Sequence, residues 1–167
     1  IDQSVVFVDR ERKRATLESL LRASDVSRAI VFTRTKRGAN RLRESLETAG
    51  LGAEVIHGNK SQGARERALG AFRDGTTRFL VATDIAARGI DVDGVSHVIN
   101  FDLPDVPESY VHRIGRTARA GASGIAFSFC DPEEVSMLSA IERLIRSRIP
   151  VDGAHPMSSL PPPPVGE

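Results

Sequence analysis

The sequence of 167 residues holds a single cysteine and no tryptophan. One thiol, Cys130, can make neither an internal disulfide nor a zinc cluster. Its place in the apolar run Ile125 to Cys130 reads as a buried packing residue suited to a reducing compartment. With seven phenylalanines and one tyrosine as its aromatic side chains, the chain offers no evident stacking platform of the kind that single-strand binders use. No apolar run approaches the roughly 20 residues that cross a bilayer, so no membrane insertion is expected. No basic segment leads into an apolar stretch and cleavage site, which leaves secretion unsupported and points to a cytoplasmic setting. The opening Ile1, in place of Met, suggests an excised piece of a longer protein. An excess of one charge is missing too: 23 Lys and Arg face 22 Asp and Glu, and a net charge of +1 argues for no nucleic-acid partner by itself. Lysine is scarce. Lys13, Lys36 and Lys60 leave twenty arginines among the 23 cations. Arginine's planar fork holds phosphate bidentately, although compositional drift of a genome explains such a bias at least as well.

What is present is an ordered alternation. The length suits one compact domain. Short β-rich apolar runs at Ser4–Val8, Ala29–Thr33, Ala53–His57, Arg78–Ala82, His97–Phe101 and Gly124–Phe129 predict six strands, most of them too apolar to have a solvated face. Segments of helical period lie between them. Leu17, Leu20 and Leu21 mark one buried stripe, Leu42, Leu46 and Ala49 a second, and Ala64, Ala68, Leu69 and Phe72 a third. This pattern predicts βαβ units and a parallel sheet with helices on both faces. The last helix is signalled by Asp131 as N-cap, Pro132 at the first helical position and Glu134 placed for a capping box. Val135, Leu138, Ile141, Leu144 and Ile145 form its expected buried stripe. Residues 1–150 are read as the domain, and residues 151–167, ending in Pro161 to Pro164, as a flexible proline-rich linker or tail.

In an open parallel sheet, ligands bind beyond the carboxyl ends of the strands, so the loops there carry the chemistry. After the second predicted strand, Thr35 can cap a helix beside Lys36 and Arg37, a natural phosphate cradle, with capping alone an equal explanation. After the third, His57-Gly58-Asn59-Lys60 leads into a helix whose Arg65 could reach an anion at the helix start; a satisfied strand-end histidine is the plainer reading of His57. After the fourth come Thr83, Asp84, Arg88, Gly89 and Asp91, where pairing of Arg88 with an aspartate is a fair structural account. After the fifth, Asn100 to Pro104 precedes a helix start at Asp105 with Pro107 and Glu108 in its first turn. The densest text is His112 to Gly121. It spaces Arg113, Arg116 and Arg119 three apart, which predicts one helical stripe of arginines ended by Gly121. Such crowding is repulsive unless carboxylates or phosphates stand opposite.

These residues resemble the C-terminal helicase domain of the DEAD-box family from about Ser4 to Arg148. Ile30 to Thr35 looks like motif IV, Gln62 with Arg65 like motif IVa, and Thr83–Asp91 like motif V. Asn100–Pro104 is similar to motif Va and His112–Arg119 to motif VI, in the family's order and spacing. His112, where other superfamily 2 helicases usually have Gln, favours this branch, and Ala118 stands where many members have Gly. The arginine-rich text and proline-rich tail suggest a bacterial, RhlE-like member. Neither a GxxxxGK[ST] loop nor an Asp-Glu-Ala-Asp run occurs in the chain.

The resemblance implies a RecA-like fold of the P-loop NTPase type, lacking its own Walker A loop, that forms one wall of an ATP cleft. An N-terminal RecA-like domain of the same protein would form the other and supply the Mg²⁺ ligands; no metal site is expected in this chain. Arg116 and Arg119 would act as arginine fingers, worth roughly 10³–10⁵ in rate. Asp91 and Gly89 would lie at the nucleotide. Arg113, His112, Arg88 and Asp84 would tie the loops together and to the neighbouring domain. Thr35, Lys36, Gly58, Arg65 and Thr83 would hold the RNA backbone, without reading sequence. ATP-driven closure would then pry a short RNA duplex apart, while the isolated domain would be inactive. Two rivals remain. A DNA-directed superfamily 2 motor shares the arginine pair and is separated by which nucleic acid stimulates ATPase. A regulatory RNA-binding module that has lost catalysis would bind RNA tightly without a partner domain.

Overall fold

The computed structural model describes residues 1–118 and 123–152. Arg119 and Gly121, singled out above, and nearly all of the proline-rich tail lie outside these residues. Six strands form one sheet: β1 (Asp2–Phe7), β2 (Ala29–Phe32), β3 (Ala53–Ile56), β4 (Phe79–Ala82), β5 (His97–Asn100) and β6 (Ile125–Cys130). Among the described residues five α-helices accompany them: α1 (Lys13–Leu21), α2 (Lys36–Thr48), α3 (Gln62–Arg73), α4 (Pro107–Ile114) and α5 (Val135–Ile145). The strand order is β1-β6-β5-β2-β4-β3 and every pairing is parallel, so the fold is the expected RecA-like α/β sheet.

Side-chain alternation along the strands divides the core. Val6, Val31, Val81, Ile99 and Phe129 face Leu17, Leu20, Leu21, Leu42 and Leu46 of α1 and α2. Ile30, Phe32, Leu80 and Val98 face Ala68, Leu69 and Phe72 of α3, and Val5, Ala126 and Cys130 pack with Tyr110, Ile114, Leu138 and Ile141 of α4 and α5. Parallel crossovers keep one hand, and the order explains the division. The chain moves one way along the sheet through α1 and α2 on one face, then back through α3, α4 and the β4–β5 connection on the other. That connection, from Thr83 to Ser96, has no helix. Its Ala86, Ala87, Ile90, Val92 and Val95 bury themselves where a helix would otherwise lie. Long connections without regular structure are uncommon unless they serve a purpose.

Several expectations need correction. The helix before the arginine run starts at Pro107 with Val106 as its N-cap, not at Asp105. It ends at Ile114 with Gly115 as C-cap, so Arg116 falls outside the helix that carries Arg113 and the two do not share a helical stripe. The chain turns there because the Thr117 hydroxyl donates to the carbonyl of Val95 and Ala118 takes a left-handed φ of 56°. Leu144 is 42% exposed; it falls off the edge of the stripe made by Leu138, Ile141 and the half-buried Ile145. Ala49 is the C-cap of α2, outside the helix. The capping box is present as drawn, but Pro132–Glu134 form a 3-10 turn that runs into α5. The start of the tail belongs to the sheet edge: Val5 donates to Pro150 O at 2.8 Å, and Asp152 donates to Val5 O at 2.8 Å. This covers part of edge strand β1, whose open hydrogen-bonding groups are otherwise a liability. Cys130 is buried, and burial pushes its thiol up to about 12, with Glu134 and Asp131 adding to the shift.

Candidate functional site

The loops at the carboxyl edge assemble around one side chain. Arg113, on the last turn of α4, is 1% exposed. It grips Asp84 bidentately, Nε to Oδ1 at 2.6 Å and Nη2 to Oδ2 at 2.9 Å. Its Nη1 donates to Asn100 Oδ1 at 3.2 Å and to Asp102 O at 2.6 Å, while the guanidinium lies 5.2 Å from the Phe32 ring centroid. A buried cation is tolerable when its donors are satisfied and opposed. Here one arginine fixes the loops after β4 and β5 against α4. Asp84 is thus paired with Arg113 and not Arg88, whose side chain is exposed and whose carbonyl accepts from Arg65 at 3.0 Å. His112, the neighbour of Arg113, is exposed.

Arg116 follows the turn at Gly115. Its Nη1 donates to Ile90 O at 2.7 Å, which sets the half-buried guanidinium beside the turn formed by Gly89, Ile90 and Asp91. Gly89 has φ 76°, a left-handed conformation that side chains resist, and a Cβ there would meet nothing within 4 Å. Its requirement is therefore the backbone angle. Asp91 is exposed at the same turn. A cation, a carboxylate and an open glycine on one rim suit a nucleotide's phosphate and sugar. Among the described residues no group of three His, Cys, Asp or Glu side chains lies together to hold a metal ion.

A second cluster lies over β2, β4 and β3. Thr35 is the N-cap of α2, its hydroxyl accepting from Gly38 N at 3.0 Å. Lys36 Nζ donates to Asn59 Oδ1 at 3.0 Å, which brings the α2 start to the turn after β3, and Gly58 lies against the Lys36 stem. His57 is buried under this turn. Asn59 N donates to its Nδ1 at 3.2 Å and its Nε2 donates to Asn40 Oδ1 at 2.9 Å, an arrangement that fixes the neutral ring. Burial, then Lys60 and Lys36, hold the His57 pKa below its ordinary value. Thr83 is buried beside it, its N–H donating to Ile56 O at 3.4 Å, and Thr33 N donates to Ala82 O at 3.0 Å. The starts of these three loops are therefore contiguous. Arg65 sits behind them: its Nε and Nη2 donate to Ala86 O at 3.3 and 3.0 Å, and Nη2 also to Arg88 O. It ties α3 to the β4–β5 connection.

A third group, built around Lys13, has no counterpart among the sequence motifs. Lys13 is 3% exposed, and its Nζ lies 2.8 Å from Glu134 Oε1, 3.3 Å from Asp102 Oδ1 and 3.5 Å from Asp131 Oδ2. Arg34 closes the group with Nη2 on Glu134 Oε2 at 2.6 Å. The available signal was a lysine one turn ahead of Leu17 in an otherwise apolar stripe. Its partners lie too far away in sequence for spacing to find them.

The helicase conserved C-terminal domain family matches residues 12–121. DEAD-box ATP-dependent RNA helicase CshA of Bacillus subtilis is 50% identical over 149 residues, which cover 89% of this chain and 30% of that protein. CshA of Geobacillus kaustophilus is 48% identical over 89% of this chain and 32% of its own length. The chain thus spans about 30% of the length of the curated relatives it matches. Among solved structures, the Escherichia coli DEAD-box protein SrmB, crystallised with regulator of ribonuclease activity A, superposes with a TM-score of 0.92 at 37% identity, covering 99% of this chain and 98% of that one. Saccharomyces cerevisiae Dbp5 bound to RNA and ADP BeF3 gives a TM-score of 0.80 at 34% identity over 91% of this chain and 43% of that one.

Proposed function

The chain belongs to the helicase conserved C-terminal domain family, as the C-terminal domain of a bacterial DEAD-box helicase, and from that premise we propose that it is half of an ATP-dependent RNA helicase. In this reading it closes on an N-terminal RecA-like domain of the same protein to complete an ATP site and an RNA-backbone site. The observation that carries the proposal is the position of Arg116, anchored on Ile90 O at the Gly89–Asp91 turn. The solved structure of Dbp5 with RNA and ADP BeF3 supports the pairing of nucleotide and RNA in a relative of this fold.

ATP, when bound between the domains, supplies a phosphoryl group for transfer to water. Arg116 offers its guanidinium to the charge that develops on that group, a contribution worth roughly 10³–10⁵ in rate. Arg119 is assigned the same role from the sequence. The Gly89–Asp91 turn lets a nucleotide approach the backbone closely, and Asp91 accepts from its ribose side. The magnesium ligands are assigned to the partner domain. Thr35, Lys36, Gly58 and Thr83 bind RNA phosphates and sugars, contacts that fix register without reading bases. Arg65 serves that surface by holding the β4–β5 connection in place. Such a domain works inside a cell, in the cytoplasm.

The test is ATP hydrolysis by this isolated chain, with and without single-stranded RNA, over a salt series that also reports binding. The half-enzyme reading expects no turnover and weak binding that falls steeply with salt. Genuine turnover by the isolated chain contradicts it.

A further inference from the structure

We infer that Glu134, acting through Arg34, is a positioning residue that holds the Thr35–Lys36 turn in its RNA-binding register. This rests on the assignment of that turn to RNA. Glu134 is 2% exposed and its carboxylate accepts four hydrogen bonds. Oε1 takes Lys13 Nζ at 2.8 Å and Asp131 N at 3.2 Å; Oε2 takes Arg34 Nη2 at 2.6 Å and Leu103 N at 2.9 Å. Capping the helix start would need one of these. The other three reach α1, the β2–α2 turn and the loop after β5.

Arg34 is held through both its backbone and its side chain. Its N–H donates to Asp102 Oδ2 at 3.0 Å and its Nε to Leu103 O at 3.1 Å, while Nη2 is on Glu134. The next residue is the N-cap of α2 and the one after is Lys36, so fixing Arg34 fixes the first free amides of the helix and the lysine beside them. Asp102 carries the link onward. Its carboxylate also takes Lys13 at 3.3 Å, and its carbonyl takes Arg113 Nη1 at 2.6 Å. Asp102 thus touches both this group and Arg113, but the grip of Arg113 on Asp84 and Asn100 does not pass through Glu134 or Arg34. Two cations and three carboxylates in one largely buried group are poor stabilisers, since desolvation offsets much of their attraction. What a satisfied buried network supplies is a single geometry.

The experiment uses the full-length helicase and reads basal ATPase, KM for ATP and the RNA concentration giving half-maximal stimulation. Glu134→Gln keeps the shape and removes the charge. It should raise half-saturating RNA roughly threefold to thirtyfold, the range for breaking a coupling network, with basal turnover and KM for ATP unchanged. Arg34→Met should do the same, and the double variant no more than the larger single one. Arg34→Lys, which keeps the charge and loses the fork, should behave as Arg34→Met; retained RNA response in Arg34→Lys would mean direct charge contact with RNA and overturn the positioning role. Equal losses in every parameter for Glu134→Gln, together with a fallen Tm, also overturn it. Arg34 is partly exposed, so its variants decide the matter if Glu134→Gln does not fold. Lys36→Ala separates the two claims. No RNA effect of Lys36→Ala removes the assignment of this turn to RNA, whereas an effect there and none in Glu134→Gln or Arg34→Met removes the present inference alone.

Discussion

From its buried position Arg113 donates to Asp84, Asn100 and Asp102 at once. Truncation would leave four acceptor atoms on three residues short and a cavity against Phe32. Arg113→Ala should therefore lower unfolding free energy by about 3 kcal/mol, the lower end for a broken buried pair because Asp84 can partly rehydrate. Urea unfolding of this chain checks it, and a loss under about 1 kcal/mol would mean that water replaces the guanidinium. Ala118 offers the opposite case. A left-handed φ of 56° on a residue with a Cβ is strained, so Ala118→Gly should stabilise by about 1 kcal/mol in the same assay. No gain would show that the turn relaxes without strain. His97 gives a pH signature. Its Nδ1 lies 2.8 Å from Ser96 Oγ, its ring stacks on Phe127, and burial lowers its pKa despite Asp25 at 3.6 Å. Because the folded pKa lies below the unfolded value of 6.5, the stability tied to the neutral ring is full above that value and lost as pH falls from it through the folded pKa. Wild type should lose more stability between pH 7.5 and 5.5 than His97→Gln, and equal slopes would exclude His97 as the source.

At the scale of elements, close approach explains the turn after α4. A Cβ on Gly124 would lie 2.5 Å from Thr117 Oγ1 and 2.7 Å from Ala118 N, contacts that the backbone cannot yield cheaply. Gly124→Ala should thus push the Thr117–Ala118 turn off β6, costing about 1–3 kcal/mol as overpacking does; thermal unfolding at wild-type Tm would refute the close fit. This turn is also where sequence reasoning failed. Arginines three apart read as a helical face, but the chain leaves the helix at Ile114 and Thr117 bonds Val95 of the β4–β5 connection, a contact invisible to local periodicity. The strands and the α1, α2 and α3 stripes were legible because their apolar periods are local. The capping box at Asp131 and Glu134 was legible too, yet only as a cap. Three of the four bonds on Glu134 come from residues distant in the chain.

Across the whole molecule, the connections of one parallel sheet build two rims, one at Arg116 and Gly89–Asp91 that is proposed to meet a nucleotide and one at Thr35, Lys36 and Gly58 that is proposed to meet RNA. The motif order made the loops recognisable from sequence. What joins them, the Arg113–Asp84 pair and the Lys13–Glu134–Arg34–Asp102 group, needed three dimensions, since it is built from residues on different crossovers. The central claim is that Arg116 acts on a nucleotide held between this domain and its partner. The measurement that tests it most directly is RNA-stimulated ATP hydrolysis by the full-length protein carrying Arg116→Ala. The account predicts a fall of roughly 10³-fold or more with RNA binding and Tm held; undiminished turnover would contradict it and remove Arg116 from the site.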